Sequence, residues 1–219
     1  MKVSGGDRMG KIDYKKEYRD LYLPKTKPMI IEVPPITYVT VVGKGNPNTS
    51  HEYQEALELL YGLSFTIKMS KMTDEQIPGY FDYVVPPLEG LWWSDDSYSE
   101  LPANKDQYLW KSMIRLPEFV TVTIFNQAKA KLLLKKPNLN VAKAKYEIID
   151  EGKCVQMMHI GSYDNESVTL DIIKQYLKAN HLETDFNENR KHHEIYLSDP
   201  RRCKTENLKT VIRLPIKQL

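Results

Sequence analysis

Short stretches of alternating or continuous apolar residues recur along the chain and predict β-strands, because each is bounded by glycine, proline or other turn residues. Pro86-Pro87 ends one of these stretches, Gly161 ends another and Asp199-Pro200 a third. The predicted strands cover 36–42, 80–85, 90–93, 108–115, 144–149, 155–160, 192–197 and 210–216.

Three stretches with apolar residues at helical spacing predict helices. The first follows Thr49-Ser-His-Glu52, which has the spacing of a capping box, and the last follows Asp164-Asn165. Signals conflict in the middle stretch, since 120–124 alternates like a strand whereas 125–134 is rich in strong helix formers. Because the second part is long and Pro137 ends it, and because Pro117 suits a first helical turn, we expect a helix over 117–135.

The predicted elements occur twice in the order strand–helix–strand–strand, which indicates an internal duplication. The predicted fold is therefore α+β, with tandem strand–helix–strand–strand halves and a cavity between them. We expect an N-terminal arm at 1–29 and one domain at 30–217. Within that domain, the first half covers about 30–95, an insert about 96–150, and the second half about 151–217.

The composition narrows the functional classes. There are 31 Lys and Arg residues against 29 Asp and Glu, so a net charge of +2 gives no general attraction to nucleic acid or to a membrane. No apolar run is long enough for a membrane-spanning helix. The two cysteines are far apart, which argues against a disulfide framework or a zinc site and favours the cytoplasm.

Alternation along 192–197 sorts the side chains that can carry chemistry. His192, Glu194 and Tyr196 share one face of this strand, and His193, Ile195 and Leu197 share the other. If the first face borders a cavity, it offers a carboxylate, an imidazole and a phenol. The alternative is that Glu194 is an ordinary solvated or salt-bridged strand residue.

Other candidates for the cavity wall are aromatic or flexible side chains. Trp92 and Trp93 point to opposite faces, so at most one of them lines a given cavity. For the two tryptophans and Met113 the alternative is core packing, and for His159 it is a histidine with its hydrogen bonds satisfied in the core. The candidates are Phe81, Tyr83, Trp92, Trp93, Met113 and His159.

We predict no metal and no cofactor. His192, Glu194 and His159 form a conceivable His₂Glu ligand set, but the adjacent His192 and His193 cannot both bind one ion. Gly43-Lys-Gly45 lacks the spacing of a phosphate-binding loop, and there is no Gly-x-Ser-x-Gly motif.

Together with the duplicated plan, four segments of the sequence resemble the GyrI-like small-molecule-binding domains. The resemblance covers roughly residues 30–217, and the block around Glu194 and Pro200 is its most specific part. The segments are Phe81-Asp-Tyr-Val-Val-Pro-Pro-Leu-Glu-Gly-Leu-Trp-Trp93, Met113-Ile-Arg-Leu-Pro117, Cys154-Val-Gln-Met-Met-His-Ile-Gly161 and Lys191-His-His-Glu-Ile-Tyr-Leu-Ser-Asp-Pro200.

The resemblance implies a cavity for flat aromatic or cationic organic molecules, with a buried carboxylate at the position of Glu194. Many members follow a DNA-binding helix-turn-helix module, for which no room precedes Ile36, so we expect no specific nucleic-acid binding. The Trp92-Trp93 pair is similar to a stand-alone branch, the cyclopropanoid cyclopropyl hydrolases, which open electrophilic cyclopropanes of toxins. Non-catalytic drug sequestration and protection of DNA gyrase or another protein partner stay open as alternatives.

For the hydrolytic version we assign roles by chemistry. Glu194 is the predicted base for water, and Tyr196 or His159 the predicted proton donor. The predicted ligand-binding residues are Phe81, Tyr83, Trp92, Trp93, Met113 and His192.

Overall fold

A computed structural model describes residues 10–72, 77–95 and 102–219 of the chain. The beginning of the predicted arm, 1–9, and the beginning of the predicted insert, 96–101, lie outside the described residues. The described residues form a mixed α and β fold built on a large antiparallel sheet, which confirms the predicted fold class.

The strands of the sheet follow one another in the order β1-β6-β9-β8-β3-β4-β2-β5, and β7 pairs with β9. Their bounds are β1 Met29–Val33, β2 Ile36–Lys44, β3 Leu88–Trp93, β4 Leu109–Arg115, β5 Lys145–Ile149, β6 Gly152–Ile160, β7 Leu182–Thr184, β8 His192–Tyr196 and β9 Lys209–Gln218. The helices are α1 Tyr14–Glu17, α2 Arg19–Tyr22, α3 His51–Lys68, α4 Val122–Lys135 and α5 Glu166–Ala179, with short 3₁₀ turns between some elements.

The duplication is visible in the sheet. One half runs β2–α3–β3–β4 and the other β6–α5–β8–β9, and the second strands of the two halves, β3 and β8, pair in the middle of the sheet. The third strand of the first half is β4, which lies within the predicted insert. The β3–β8 pair is therefore the seam between the halves.

The predicted strand over 80–85 is wrong. In this segment, Tyr83 forms a single bridge with Ile12, and the chain is extended without a neighbouring strand. Its local pattern resembles a strand because Tyr83 is buried while Val84 is exposed, but Pro86 and Pro87 lack the backbone donors needed for a ladder. The hairpin next to it is β3–β4 instead.

The predicted helix over 117–135 is confirmed in its second part. The helix α4 begins at Val122, and the side chain of Thr121 caps it by accepting from the backbone of Ile124. Residues 117–120 form a turn before the cap, closed by a hydrogen bond from Val120 N to the Pro117 carbonyl, so Pro117 is not in the first helical turn. A Thr cap supplies the acceptor that the free N–H groups of a helix start require.

The two faces of the sheet are covered by different elements. Helices α3 and α5 pack on one face, and the N-terminal arm with α1 and α2 covers part of the other, where Tyr22 reaches Glu89 and the backbone of Leu21 reaches Arg213. His193 lies on this second face, opposite Leu91 of β3. The arm is thus an integral part of the fold.

Beneath the arm lies a buried chain of charges. His193 bonds through Nε2 to Glu89 at 3.0 Å and through Nδ1 to Glu151 at 2.9 Å, and Arg213 donates to Glu151 at 2.9 Å. With both ring nitrogens facing carboxylates, His193 is suited to the charged form. Burial alone would lower the pKa of His193, but Glu151 and Glu89 outweigh it and raise the pKa.

Replacing Glu151 with Gln should destabilise the protein by about 3–5 kcal/mol, because Arg213 and His193 then lose a buried counter-charge. Glu183→Gln is the matched control, since its ion pair with Lys217 is half exposed and should be worth about 1 kcal/mol or less. Urea unfolding at neutral pH measures both differences. Equal stability losses in the two variants would show that the buried network does not hold the arm and sheet together.

Wild type and Glu151→Gln also test how the free energy of unfolding depends on pH. Burial would raise the pKa of Glu151, but His193 and Arg213 lower it from 4.5 to about 2. The stabilisation by the Glu151 carboxylate is therefore complete above pH 4.5 and is lost as the pH falls toward about 2. The gap between wild type and Glu151→Gln should narrow over that range.

Candidate functional site

A cavity of about 1040 Å³ lies on the helix-bearing face of the sheet, over the β3–β8 seam. Its inner wall is aromatic. The rings come from α3, β3, the segment before β4, the turn before α5 and β8, so both halves contribute. These rings are Tyr53, Trp92, Tyr108, Tyr163 and Tyr196.

Glu194 is held at the inner end of this cavity by a chain of hydrogen bonds. Trp92 donates from Nε1 to the Tyr196 hydroxyl at 3.0 Å, and that hydroxyl donates to Glu194 Oε2 at 2.9 Å. Glu194 is 7% exposed, and no lysine or arginine in the described ranges forms an ion pair with it. One carboxylate oxygen is thereby fixed, and the other faces His192 and the cavity.

Gly90 makes room for this arrangement. It pairs with Glu194 across the seam, and a Cβ added at Gly90 would lie 2.8 Å from Trp92 Nε1 and 3.3 Å from the Tyr196 hydroxyl. A side chain at this position would push the indole and the phenol apart. The glycine is needed for close approach rather than for an unusual backbone angle.

Glu166 is a second carboxylate in the cavity. It is the first residue of α5, and its Oε1 is buried without a hydrogen-bond partner. Burial, followed by the negative charge of Glu194, raises the pKa of Glu166 well above its usual value. Carboxylate oxygens of Glu166 and Glu194 lie within 4.8 Å of each other, and two carboxylates at this distance disfavour double ionisation. Glu166 is therefore suited to carrying a proton at neutral pH.

The inner end has the donor types of a small cation site. Donor atoms of Glu166, His192 and Glu194 lie within 4.8 Å of one another, and His192 Nε2 is 3.3 Å from Glu194 Oε1. One imidazole and two carboxylates can hold a divalent metal with an open position. The sequence predicts no metal, and the set differs from the one weighed there, because Glu166 takes the place considered for His159.

Four of the sequence-predicted residues come together here. Glu194, Tyr196 and His192 share a strand face as expected, and Trp92 joins them because it pairs with His192 across the seam. The Tyr196 hydroxyl already donates to Glu194, and burial and the charge of Glu194 raise the pKa of Tyr196 well above its usual value. Tyr196 is therefore placed to orient the carboxylate rather than to give up a proton.

Trp93 is not in the cavity. It lies on the opposite face of β3, where the Lys191 ammonium sits 4.6 Å from its ring centroid. Alternation predicts that the two tryptophans separate, but it cannot say which one faces the ligand. The pairing of β3 with β8 places Trp92 on the face that borders the cavity.

Met113, Tyr83 and Phe81 also lie elsewhere, which corrects their expected place in the cavity wall. Met113 is fully buried on the other face of the sheet, where it pairs with Glu89. Tyr83 is buried against Phe119, and Phe81 lines a separate depression beside the arm. Since 80–85 is not a strand, no sheet face carries Phe81 and Tyr83 toward Glu194.

His159 is a core histidine with both ring nitrogens hydrogen-bonded, which is the alternative considered for it. Its Nδ1 is 2.8 Å from the Thr169 hydroxyl and its Nε2 is 3.0 Å from the Ser162 carbonyl. Both ring nitrogens are thus occupied by groups that join β6 to the start of α5. The structure does not bring His159 to the cavity wall as a proton donor.

Sequence reasoning missed Tyr53, Tyr108, Tyr163 and Glu166. Tyr53 follows the predicted cap of its helix, and its ring packs 6.1 Å from Trp92. An aromatic residue in the first turn of each half's helix region was a usable signal, because duplicated halves place equivalent residues at the shared cavity. Glu166 had no signal of its own, since acidic residues are common in first helical turns.

The geometry agrees with the comparisons to known proteins. The GyrI-like small molecule binding domain matches residues 26–217. The chain belongs to this family. The match therefore identifies the chain as a small-molecule-binding domain. No curated protein sequence matches the chain significantly.

Solved GyrI-like relatives share the architecture. A hydrolase from Listeria innocua is 44% identical with a TM-score of 0.86, and an uncharacterized conserved protein from Listeria innocua is 44% identical with a TM-score of 0.89. Each comparison covers 94% of this chain and 100% of the other. The EcmrR C-terminal domain, at 11% identity and a TM-score of 0.52 over 88% of this chain and 98% of that one, shares the fold alone.

None of the helices in the described ranges has the length and apolar content that crossing a bilayer demands.

The two neighbouring tryptophans should separate in binding experiments. Trp92→Phe should weaken binding of a benzylpyridinium cation about tenfold and remove most of the ligand-induced fluorescence quenching, because Trp92 both lines the cavity and anchors Tyr196. Trp93→Phe is the matched control and should change affinity less than twofold. Fluorescence titration supported by calorimetry measures both; a larger loss in Trp93→Phe would place the ligand on the wrong face.

Proposed function

We propose that the protein binds flat aromatic or cationic organic toxins in this cavity and detoxifies them by hydrolysing an electrophilic cyclopropane. The observation that carries the proposal is the buried Glu194 carboxylate, which lacks a lysine or arginine counter-ion in the described residues and stands at the end of an aromatic cavity. Such a charge is stabilised by an incoming cation or by chemistry that uses its basicity.

The chemistry needs a base, an acid and flat walls. Water attacks the ring CH₂ of a cyclopropane fused to a dienone, the bond from that carbon to the ring breaks, and its electron pair moves to the carbonyl oxygen. Glu194 takes the proton from water, and the phenolate oxygen takes one from an acid. Glu166 suits the acid role better than Tyr196 or His159, because its pKa is raised by burial and by Glu194 and its Oε1 is unpartnered.

The aromatic rings supply the walls for a flat substrate. Tyr53, Trp92 and Tyr163 surround the inner end, and stacking on such rings orients a polycyclic molecule. The relatives described as hydrolases support a hydrolytic reaction. Because one fold hosts several functions, the shared fold alone does not support hydrolysis, and the proposal depends on the residues of the site.

Non-catalytic capture of organic cations is the second candidate. A carboxylate surrounded by aromatic faces is also the arrangement that recognises quaternary ammonium groups. A protein partner such as gyrase stays a prediction. A docking surface for it would need exposed apolar residues outside the cavity, whereas the exposed Tyr61 and Phe65 line the cavity itself.

Glu194→Gln should separate these functions. Incubation with a spirocyclopropyl-dienone alkylator in isotopically labelled water should give a hydrated phenol with wild type. The variant should slow that reaction by about 10²–10⁴-fold, since the amide keeps the shape but cannot act as a base. Mass spectrometry follows the product. Chelator treatment should leave the rate unchanged, since no step is assigned to a metal.

Glu206→Gln, at an exposed position, is the control and should react at the wild-type rate. Turnover by Glu194→Gln at that same rate would remove Glu194 as the base. No hydrated product from wild type, together with tight cation binding that Glu194→Gln weakens, would favour capture without catalysis.

A further inference from the structure

The cavity continues along α3, well beyond the inner end that holds Glu194. Tyr53, Leu57, Tyr61 and Phe65 line it at successive helical turns, which spans about 18 Å at 1.5 Å per residue. Tyr61 is 38% exposed and Phe65 is 50% exposed, and their rings are 6.5 Å apart. Large apolar side chains left open in a row inside a cavity are typical of a ligand surface.

The facing wall of this outer part is the extended segment 84–88. It presents Val84, Val85 and two prolines, and Val84 is 40% exposed. Pro86 and Pro87 have no backbone N–H to satisfy, so this wall is apolar along its length. Together, α3 and this segment form a long slot with an acidic inner end.

The outer end of the slot is basic, and the arm supplies the charges. Lys11 and Lys15 line the cavity there, next to Lys68 of α3. Ile12 fixes the arm by accepting from Val84 N at 2.7 Å and donating to Asp82 O at 2.9 Å. This anchoring holds Lys11 beside the wall segment.

The three lysines are not equivalent. Lys68 donates to the Tyr83 carbonyl and lies 3.4 Å from Asp82, so its charge is balanced within the protein. Neither Lys11 nor Lys15 has an ion-pair partner in the described parts of the chain. The free positive charge at the outer end therefore comes from the arm.

We propose that this slot selects elongated ligands with a cation at one end and an anionic or acceptor group at the other, the second group being recognised by Lys11 and Lys15. The proposal rests on the binding part of the proposed function, in which Glu194 receives the cationic end. The arm precedes residue 26, where the match to the GyrI-like domain begins, so Lys11 and Lys15 lie outside the matched domain.

Three synthetic probes of equal length test the proposal. Each has an aryl-alkyl chain with a trimethylammonium group at one end, and the other end is a methyl, a carboxylate or a second trimethylammonium group. Calorimetry at low salt should rank the carboxylate first and the bis-cation last. Each free lysine should contribute up to about fivefold, as expected for charges near solvent, and the ranking should weaken as salt is added.

The variants separate the two ends of the slot. Lys11→Ala/Lys15→Ala should bring the three probes to within about twofold of one another, whereas Lys16→Ala, exposed on the same arm, should keep the wild-type ranking. Glu194→Gln should weaken all three probes by a similar factor. Thermal melting checks that each variant is folded.

The outcomes distinguish the two claims. If Glu194→Gln weakens the probes but wild type binds all three equally, or the double lysine variant keeps the ranking, the outer-end proposal is overturned and the proposed function stands. If Glu194→Gln changes no affinity, the cationic end does not bind at Glu194 and both claims fail.

Discussion

Antiparallel pairing of β3 with β8 is the contact on which the site depends. It joins the two halves of the fold, and its register sets Gly90 opposite Glu194 and Trp92 opposite His192. A shift by one residue would turn every side chain of one strand to the other face. The hydrogen-bond chain from Trp92 through Tyr196 to Glu194 exists because this register brings both halves' side chains together.

The same alternation divides two buried groups of charges between the faces of the sheet. On the arm-covered face, His193 and Arg213 balance Glu89 and Glu151, so the charges are paired and contribute to stability. On the helix-covered face, Glu194 has no lysine or arginine partner among the described residues, and its nearest basic group is the His192 imidazole at 3.3 Å. Adjacent residues of one strand, His193 and Glu194, thus serve the fold and the site respectively.

Local alternation was enough to predict part of this site. It correctly grouped His192, Glu194 and Tyr196, since a two-residue period is a property of the strand alone. It could not choose between Trp92 and Trp93, because the face that meets the ligand depends on pairing between distant segments. The pattern over 80–85 failed for a related reason: burial of Tyr83 comes from contacts with the arm and Phe119, not from a sheet.

We propose that an organic cation enters the cavity and comes to rest at Glu194. A crystal structure of the complex with an aryl-trimethylammonium ligand tests it most directly. We expect the ammonium group beside Glu194, within about 6 Å of an aromatic ring centroid of the inner wall, with the Tyr196–Glu194 hydrogen bond intact. An ammonium group bound away from Glu194, or a ligand bound outside the cavity, would contradict it.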